Sequence, residues 1–247
     1  MYLFAINPNK FISRIGSIIV IAAHSAHIAQ GLLENHMSMI DDLLMRYSAG
    51  DLDPGLCLIM SSYVHLEPEA REKLEEFESI NAALLDNEPP AELSDDSLDT
   101  LLELLDKPVE TELPVNGHKY NQDLPLPLRT LLDDNIENKK WRFTYPGVKS
   151  LFLNNLCENT EVRLLKIKPG KSAPRHSHGG VAATLVLRGA FKDGDEIYQR
   201  GDLAIADDGI EHSPLAVGEE ECLCLAVTHG SLKFKDRLGR VVKDFIS

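Results

Sequence analysis

The sequence predicts an α+β chain in two parts, a small helical N-terminal domain followed by an all-β barrel or double-sheet jelly roll. Three observations predict it. Between Met39 and Leu105 apolar residues recur at spacings of three and four, the period of helices buried along one stripe. From Trp141 onward the texture changes to short aliphatic and β-branched runs separated by Gly and Asp turns. Between these regions, residues 107–128 carry Pro108, Pro114, Pro125 and Pro127 and show no periodicity. The expected divisions are an extension over 1–36, a helical domain over 37–106, a Pro-rich linker over 107–135 and a β domain over 136–247.

In the extension, the apolar run Ser17 to Ala23 behind Lys10 and Arg14 loosely resembles a signal peptide. It is too short to span a bilayer, and His24 and His27 interrupt it. The alternative makes Met37 or Met39 the true start, because the helical pattern from Met39 needs nothing before it.

That pattern places Ile40, Leu43, Leu44 and Tyr47 on one face, and Gly50 stops the helix. Asp53-Pro54 opens a second helix, with Asp53 as N-cap and Pro54 at the first helical position, running through Leu56, Ile59, Met60 and Tyr63. Pro68 opens a third, over Glu67 to Leu85, with Leu74, Phe77, Ile80, Ala83 and Leu84 on one side and a charged face opposite. Ser94 caps a fourth, Asp95 to Leu105, with the stripe Leu98, Leu101, Leu102 and Leu105. A short helix is expected around Arg129 to Asp134. The strands expected are Trp141–Tyr145, Ser150–Leu153, Val162–Ile167, Val181–Leu187, Asp195–Gln199, Leu203–Ala206, His212–Val217, Cys222–Val227, Leu232–Phe234 and Val241–Ile246.

A formal charge of −14, from 25 basic against 39 acidic residues, disfavours nucleic-acid phosphates and suits a basic protein partner. Cys57, Cys157, Cys222 and Cys224 form no disulfide framework and no CxxC, so a reducing, cytoplasmic compartment is expected. Cys222 and Cys224 share one face of a strand and read as buried packing residues.

The chemistry concentrates beyond the Pro169-Gly170 turn, at His176, His178 and His212. Side chains alternate along an extended chain, so His176 and His178 project to the same side. A third imidazole, His212, comes from a neighbouring strand, and three such donors suit a divalent metal. Asp195, Glu196 and Glu211 lie near in sequence, but Asp195 falls in a turn and Glu211 points away from its neighbour His212, so none is named a ligand. His229 reads as a strand-end surface residue.

These residues resemble the cupin superfamily. Its first motif, G-x5-H-x-H-x3/4-E-x6-G, reads here Gly170, His176, His178, Ala182, Gly189; its second, G-x5-P-x-G-x2-H-x3-N, reads Gly201, Asp207, Gly209, His212, Ala216. The resemblance implies a metal on His176, His178 and His212, with Zn, Fe, Ni or Mn as candidates. Ala182 stands where the carboxylate ligand belongs, and a methyl group cannot coordinate.

Residues 37–247 are similar to the ChrR-type anti-sigma factors. Three segments carry this: Asp42 to Gly50, Thr184 to Phe191, and Gly201 to Ala206 with Glu211 to Ala216. The resemblance implies a helical domain that clamps an extracytoplasmic-function sigma factor and a cupin domain needed for release under oxidative stress. That family's helical zinc ligands correspond here to Ser38, Tyr63, Glu67 and Ala70, so no zinc is expected in the helical domain. Leu56, Ile59, Leu74 and Phe77 are the apolar contacts expected to compensate. The reading adopted is a regulator with a metal-binding sensory cupin, without direct nucleic-acid or membrane contact and with a homodimer left open. A three-His enzyme of dioxygenase or isomerase type, with Tyr198 and Arg188 as weak helpers, and a cupin with a structural role only remain as alternatives.

Overall fold

The structure is a computed structural model that describes residues 39–89, 94, 96–105, 124–132, 136–153, 160–206, 211–230 and 233–234. The extension 1–36, most of the Pro-rich linker, Cys157, the Asp207–Gly209 part of the second motif and the strand expected at Val241–Ile246 lie outside these residues. From residue 40 onward the described residues belong to one compact unit.

Helix α1 covers 39–48. It ends as Gly50 predicts: Gly50 adopts a φ of 72°, and the Asp51 amide donates back to Arg46 across the turn, satisfying a carbonyl the helix leaves open. Helix α2 spans Pro54–Leu66, and the Asp53 side chain accepts from the Gly55 and Leu56 amides at 2.8 and 3.1 Å. Pro68 starts α3, Pro68–Leu85. Lys73 to Asp41, at 2.6 Å, and Asn81 to Ser48, at 2.7 Å, tie α3 to α1. Helix α4, Ser97–Leu105, follows. The short helix α5 is Leu126–Leu132, earlier than expected, because Pro127 falls in the first turn, where its missing N–H costs nothing. It lies partly in the stretch read as linker, yet Leu128 and Leu132 are buried and α5 packs on α2.

Eleven strands are described: β1 Arg142–Tyr145, β2 Val148–Phe152, β3 Thr160–Ile167, β4 His176–Ser177, β5 Ala182–Arg188, β6 Ala190–Asp193, β7 Glu196–Gln199, β8 Leu203–Ala206, β9 Leu215–Val217, β10 Cys222–His229 and β11 Lys233–Phe234. They form a six-stranded sheet in the order β1-β2-β3-β10-β5-β8, a three-stranded sheet β7-β6-β9 and a pair β11-β4. This is the expected helical unit followed by a double-sheet cupin-like unit, its sheets not closed by hydrogen bonds among the described residues. Strands β4 and β6 go beyond those the sequence predicts, and the strand expected over His212–Val217 is an isolated bridge at His212 followed by β9.

Register sorts the two faces of the large sheet. Leu225 of β10 pairs with Leu164 of β3 and Leu185 of β5, and Val227 pairs with Val162 and Ala183. All six are buried, and α2 packs over this outer face. The approach is close at Gly55, where an added Cβ would stand 2.8 Å from Val162 and 2.9 Å from Thr160. Ile59 and Met60 of α2 are fully buried; burying such a side chain contributes about 2 kcal/mol. The opposite face carries Arg163, Leu165, Thr184, Cys224, Ala226 and Thr228, which line a cavity of about 70 Å³. Cys222 and Cys224 are buried in the core cluster with Val186 and Phe191, as read from the sequence.

Candidate metal centre

The cavity's polar end is a cluster of three imidazoles. His176 lies in β4, His178 just beyond it, and His212 on the chain segment leading into β9. The backbones of His176 and His212 exchange two hydrogen bonds of 3.1 Å, which fixes the two segments side by side. Ring centroids are 4.8 Å apart for His176 and His178, 4.5 Å for His176 and His212, and 5.1 Å for His178 and His212. One nitrogen from each ring falls within 4.8 Å of the others, and among the described residues this is the group that could hold a metal ion.

The partners of the outer nitrogens set the tautomers. The Pro174 carbonyl can only accept, so His176 donates its Nδ1–H there, at 2.7 Å. An ionised Asp193 can only accept, so His212 donates its Nδ1–H to Asp193 Oδ2 at 2.6 Å. In its neutral form each of these rings then presents an Nε2 lone pair. The His212 Nε2 faces the His178 Nε2 at 2.8 Å. The His178 Nδ1 is buried without a partner. Burial, and then the neighbouring His212, pushes the His176 pKa down to about 4; burial, and then His176, pushes that of His178 down to about 3. At neutral pH both rings are uncharged, the form that ligates.

The residues present fit a divalent ion. Three imidazole nitrogens converge, two of the rings oriented through their other nitrogen by a carbonyl and a carboxylate, as in histidine metal sites. A cation bound between the two Nε2 atoms would relieve the short His178–His212 contact.

All three sequence-predicted ligands are brought together. The neighbouring acidic residues are not: Asp195 sits in a turn, Glu196 accepts from Tyr198, and Glu211 pairs with Arg175 at 3.2 Å. Tyr198 and Arg188 do not line the cavity; Tyr198 stacks on Phe191, and Arg188 reaches towards Glu221. His229 is at the exposed end of β10, bonded to Thr160 at 3.2 Å and 3.9 Å from Asp53. Sequence reasoning missed Asp193 and Arg163. Asp193 ends the unexpected strand β6, one residue before Gly194, whose positive φ marks the turn and could have revealed it.

Fold and site together define a cupin-type protein with a three-histidine centre behind a helical unit. Residues 134–233 match the family described as ChrR Cupin-like domain. The chain is 32% identical over 213 residues to "Anti-sigma-E factor ChrR" of Cereibacter sphaeroides, a match spanning 86% of this chain and 98% of that protein. Among solved structures it resembles a chain in the crystal structure of Rhodobacter sphaeroides SigE in complex with the anti-sigma ChrR, at 32% identity and a TM-score of 0.66, covering 76% of this chain and 96% of that one. The chain belongs to the ChrR anti-sigma factor family. No described helix is long and apolar enough to cross a membrane.

Proposed function

We propose that this chain is a cytoplasmic anti-sigma regulator. Its helices α1–α4 bind an extracytoplasmic-function sigma factor, and its β unit holds one divalent metal on His176, His178 and His212 and senses oxidative stress. The observation that carries this reading is the extent of the likeness: 98% of ChrR from Cereibacter sphaeroides aligns, helices and cupin together. The helices support it. The C-terminal end of α3 and the leucines of α4 are left on the surface, with Leu85 72% and Leu98 65% exposed and Ile80, Leu84, Leu101 and Leu102 more than half or nearly half exposed. A row of exposed leucines and isoleucine on an acidic helical pair suits a partner with an apolar, basic groove. Residues 37–106 are the sigma-binding part, 136–247 the sensory part, and the positions Tyr63, Glu67 and Ala70 hold no zinc.

The test is co-expression of the full chain with the extracytoplasmic-function sigma factors of its source cell. A one-to-one complex with one of them is expected by light scattering, and Leu101→Asp with Leu102→Asp should abolish it. Failure of every such sigma factor to co-purify overturns the reading. The metal on the three imidazoles supplies a Lewis-acidic centre; Zn²⁺ fits the nitrogen donors, and Fe²⁺, Ni²⁺ and Mn²⁺ are the competing ions.

A further inference from the structure

The cavity wall beside the histidines holds a second feature. Arg163 is buried, 8% exposed, and lines the cavity. Its Nη1 pairs with Glu161 at 3.0 Å, but its Nε is buried without a partner. Register explains why it has room. Arg163 pairs across β3 and β10 with Ala226, and Ala226 pairs across to Thr184 of β5. In the next row Thr228 pairs with Ala182. Alternation puts Ala182 on the same face as Thr184. Ala226 therefore separates Arg163 from Thr184 on the cavity face, and Ala182 lies one row further along that face, across Thr228 from Glu161.

Charge makes the same point. Three imidazoles bring no negative charge to a divalent ion, and Asp193 is already engaged by His212. Glu161 balances the charge of Arg163 as an ion pair, its Oε1 making no hydrogen bond. A buried cationic centre beside an arginine with an unmet N–H is incomplete without an anion.

We infer that the cavity binds a small free carboxylate, of acetate size, that takes the coordination place a carboxylate side chain at position 182 would fill and is held by Arg163. This rests on the metal reading above. The hydroxyls of Thr184 and Thr228 line the cavity as further donors, and Leu165, Ile167 and Phe191 accommodate a short alkyl group. A cavity of about 70 Å³ excludes large acids. The ligand would report to the sheet on which α2 packs, which gives the sensory unit a small-molecule input.

The experiment loads the full purified chain with Co²⁺ and follows its visible absorption while acetate is titrated. A saturable spectral change is expected with acetate and none with benzoate. Arg163→Met should weaken acetate binding about tenfold or more, the usual weight of a charge-assisted hydrogen bond, and Arg163→Lys should restore part of it. Ala182→Glu should give, without acetate, a spectrum like that of the acetate-bound native protein and should no longer respond to acetate. This variant keeps the test decisive if Arg163→Met does not fold. Cobalt uptake with no response to acetate, or equal acetate affinity in Arg163→Met, overturns the inference and leaves the metal centre standing. No cobalt uptake removes both.

Discussion

The α2–α3 junction and the histidine cluster are the two places where the sequence resemblance puts metal-ligand positions, and their surroundings differ. At the junction, Tyr63, Glu67 and Ala70 stand at those positions. Ala70 is buried, Ile59 and Met60 of α2 are fully buried, and the C-terminal carbonyls of α2 are satisfied by the Glu67 amide and by Arg71 reaching Val64 and His65. Packing and backbone bonds hold this corner. At the cluster a carbonyl and a carboxylate orient the rings, and a cavity remains beside them. The junction is filled by side chains, whereas the cluster keeps open volume and orienting hydrogen bonds beside three imidazole nitrogens.

The sharpest way to break this contrast is metal counting. We expect about one equivalent of metal per chain in the native protein by elemental analysis, the stoichiometry of a single three-nitrogen site. His176→Ala and His212→Ala should lose nearly all of it, and Tyr63→Phe should lose none. Two equivalents per chain, or loss in Tyr63→Phe, would place a metal at the junction and erase the difference.

The two regions should also fail at opposite ends of the pH scale in the metal-free protein. His176, whose folded pKa is pushed from 6.5 to about 4, and His178, pushed to about 3, bind fewer protons folded than unfolded. Stability is thus present above about 6.5 and falls as pH drops from there towards 4 and below, by on the order of 3 kcal/mol for a shift of that size. Tyr63 runs the other way. Burial, followed by the Glu67 carboxylate, pushes it up to about 12, so stability falls as pH rises from 10 towards 12. The hydroxyl is partly solvated, so that effect should be roughly 2 kcal/mol or less. Urea titrations at stepped pH check both: Tyr63→Phe should flatten the alkaline limb alone, and His176→Ala should flatten the acid limb alone. Unchanged limbs in both variants would show that neither group is held as described.

The same contrast explains what the sequence could reveal. Caps and turns are local chemistry, so Asp53-Pro54 and Gly50 mark helix ends correctly. The His-x-His pair is legible because a period of two places both rings on one side. Arg163 is not legible: β3 is buried on both faces over most of its length, so Arg163 and Lys166 look alike in sequence although one faces the cavity and the other reaches Glu137 at 2.6 Å on the opposite face. The stripes of α3 and α4 predict helices correctly, but periodicity says only that a face is apolar, not what covers it; in the chain by itself Ile80, Leu84, Leu98, Leu101 and Leu102 face solvent.

The smallest effect concerns the carboxylate that distinguishes the cluster from the junction. Asp193 touches one ring, at 2.6 Å from His212 Nδ1. It fixes the tautomer that presents Nε2 inward and makes that nitrogen a better donor. Asparagine keeps the size and can still accept through its carbonyl oxygen, but it lacks the charge and can rotate to present its NH₂ group, which would flip the ring to the wrong tautomer. Asp193→Asn should therefore weaken metal affinity about 10- to 100-fold, measured by competition with a chelator, while one metal per chain still binds at saturation. Asp193 is partly exposed, so thermal unfolding of the metal-free variant should shift little. An affinity unchanged by Asp193→Asn would mean that His176 and His178 alone set the centre, and that the orienting hydrogen bond at His212 is incidental to it.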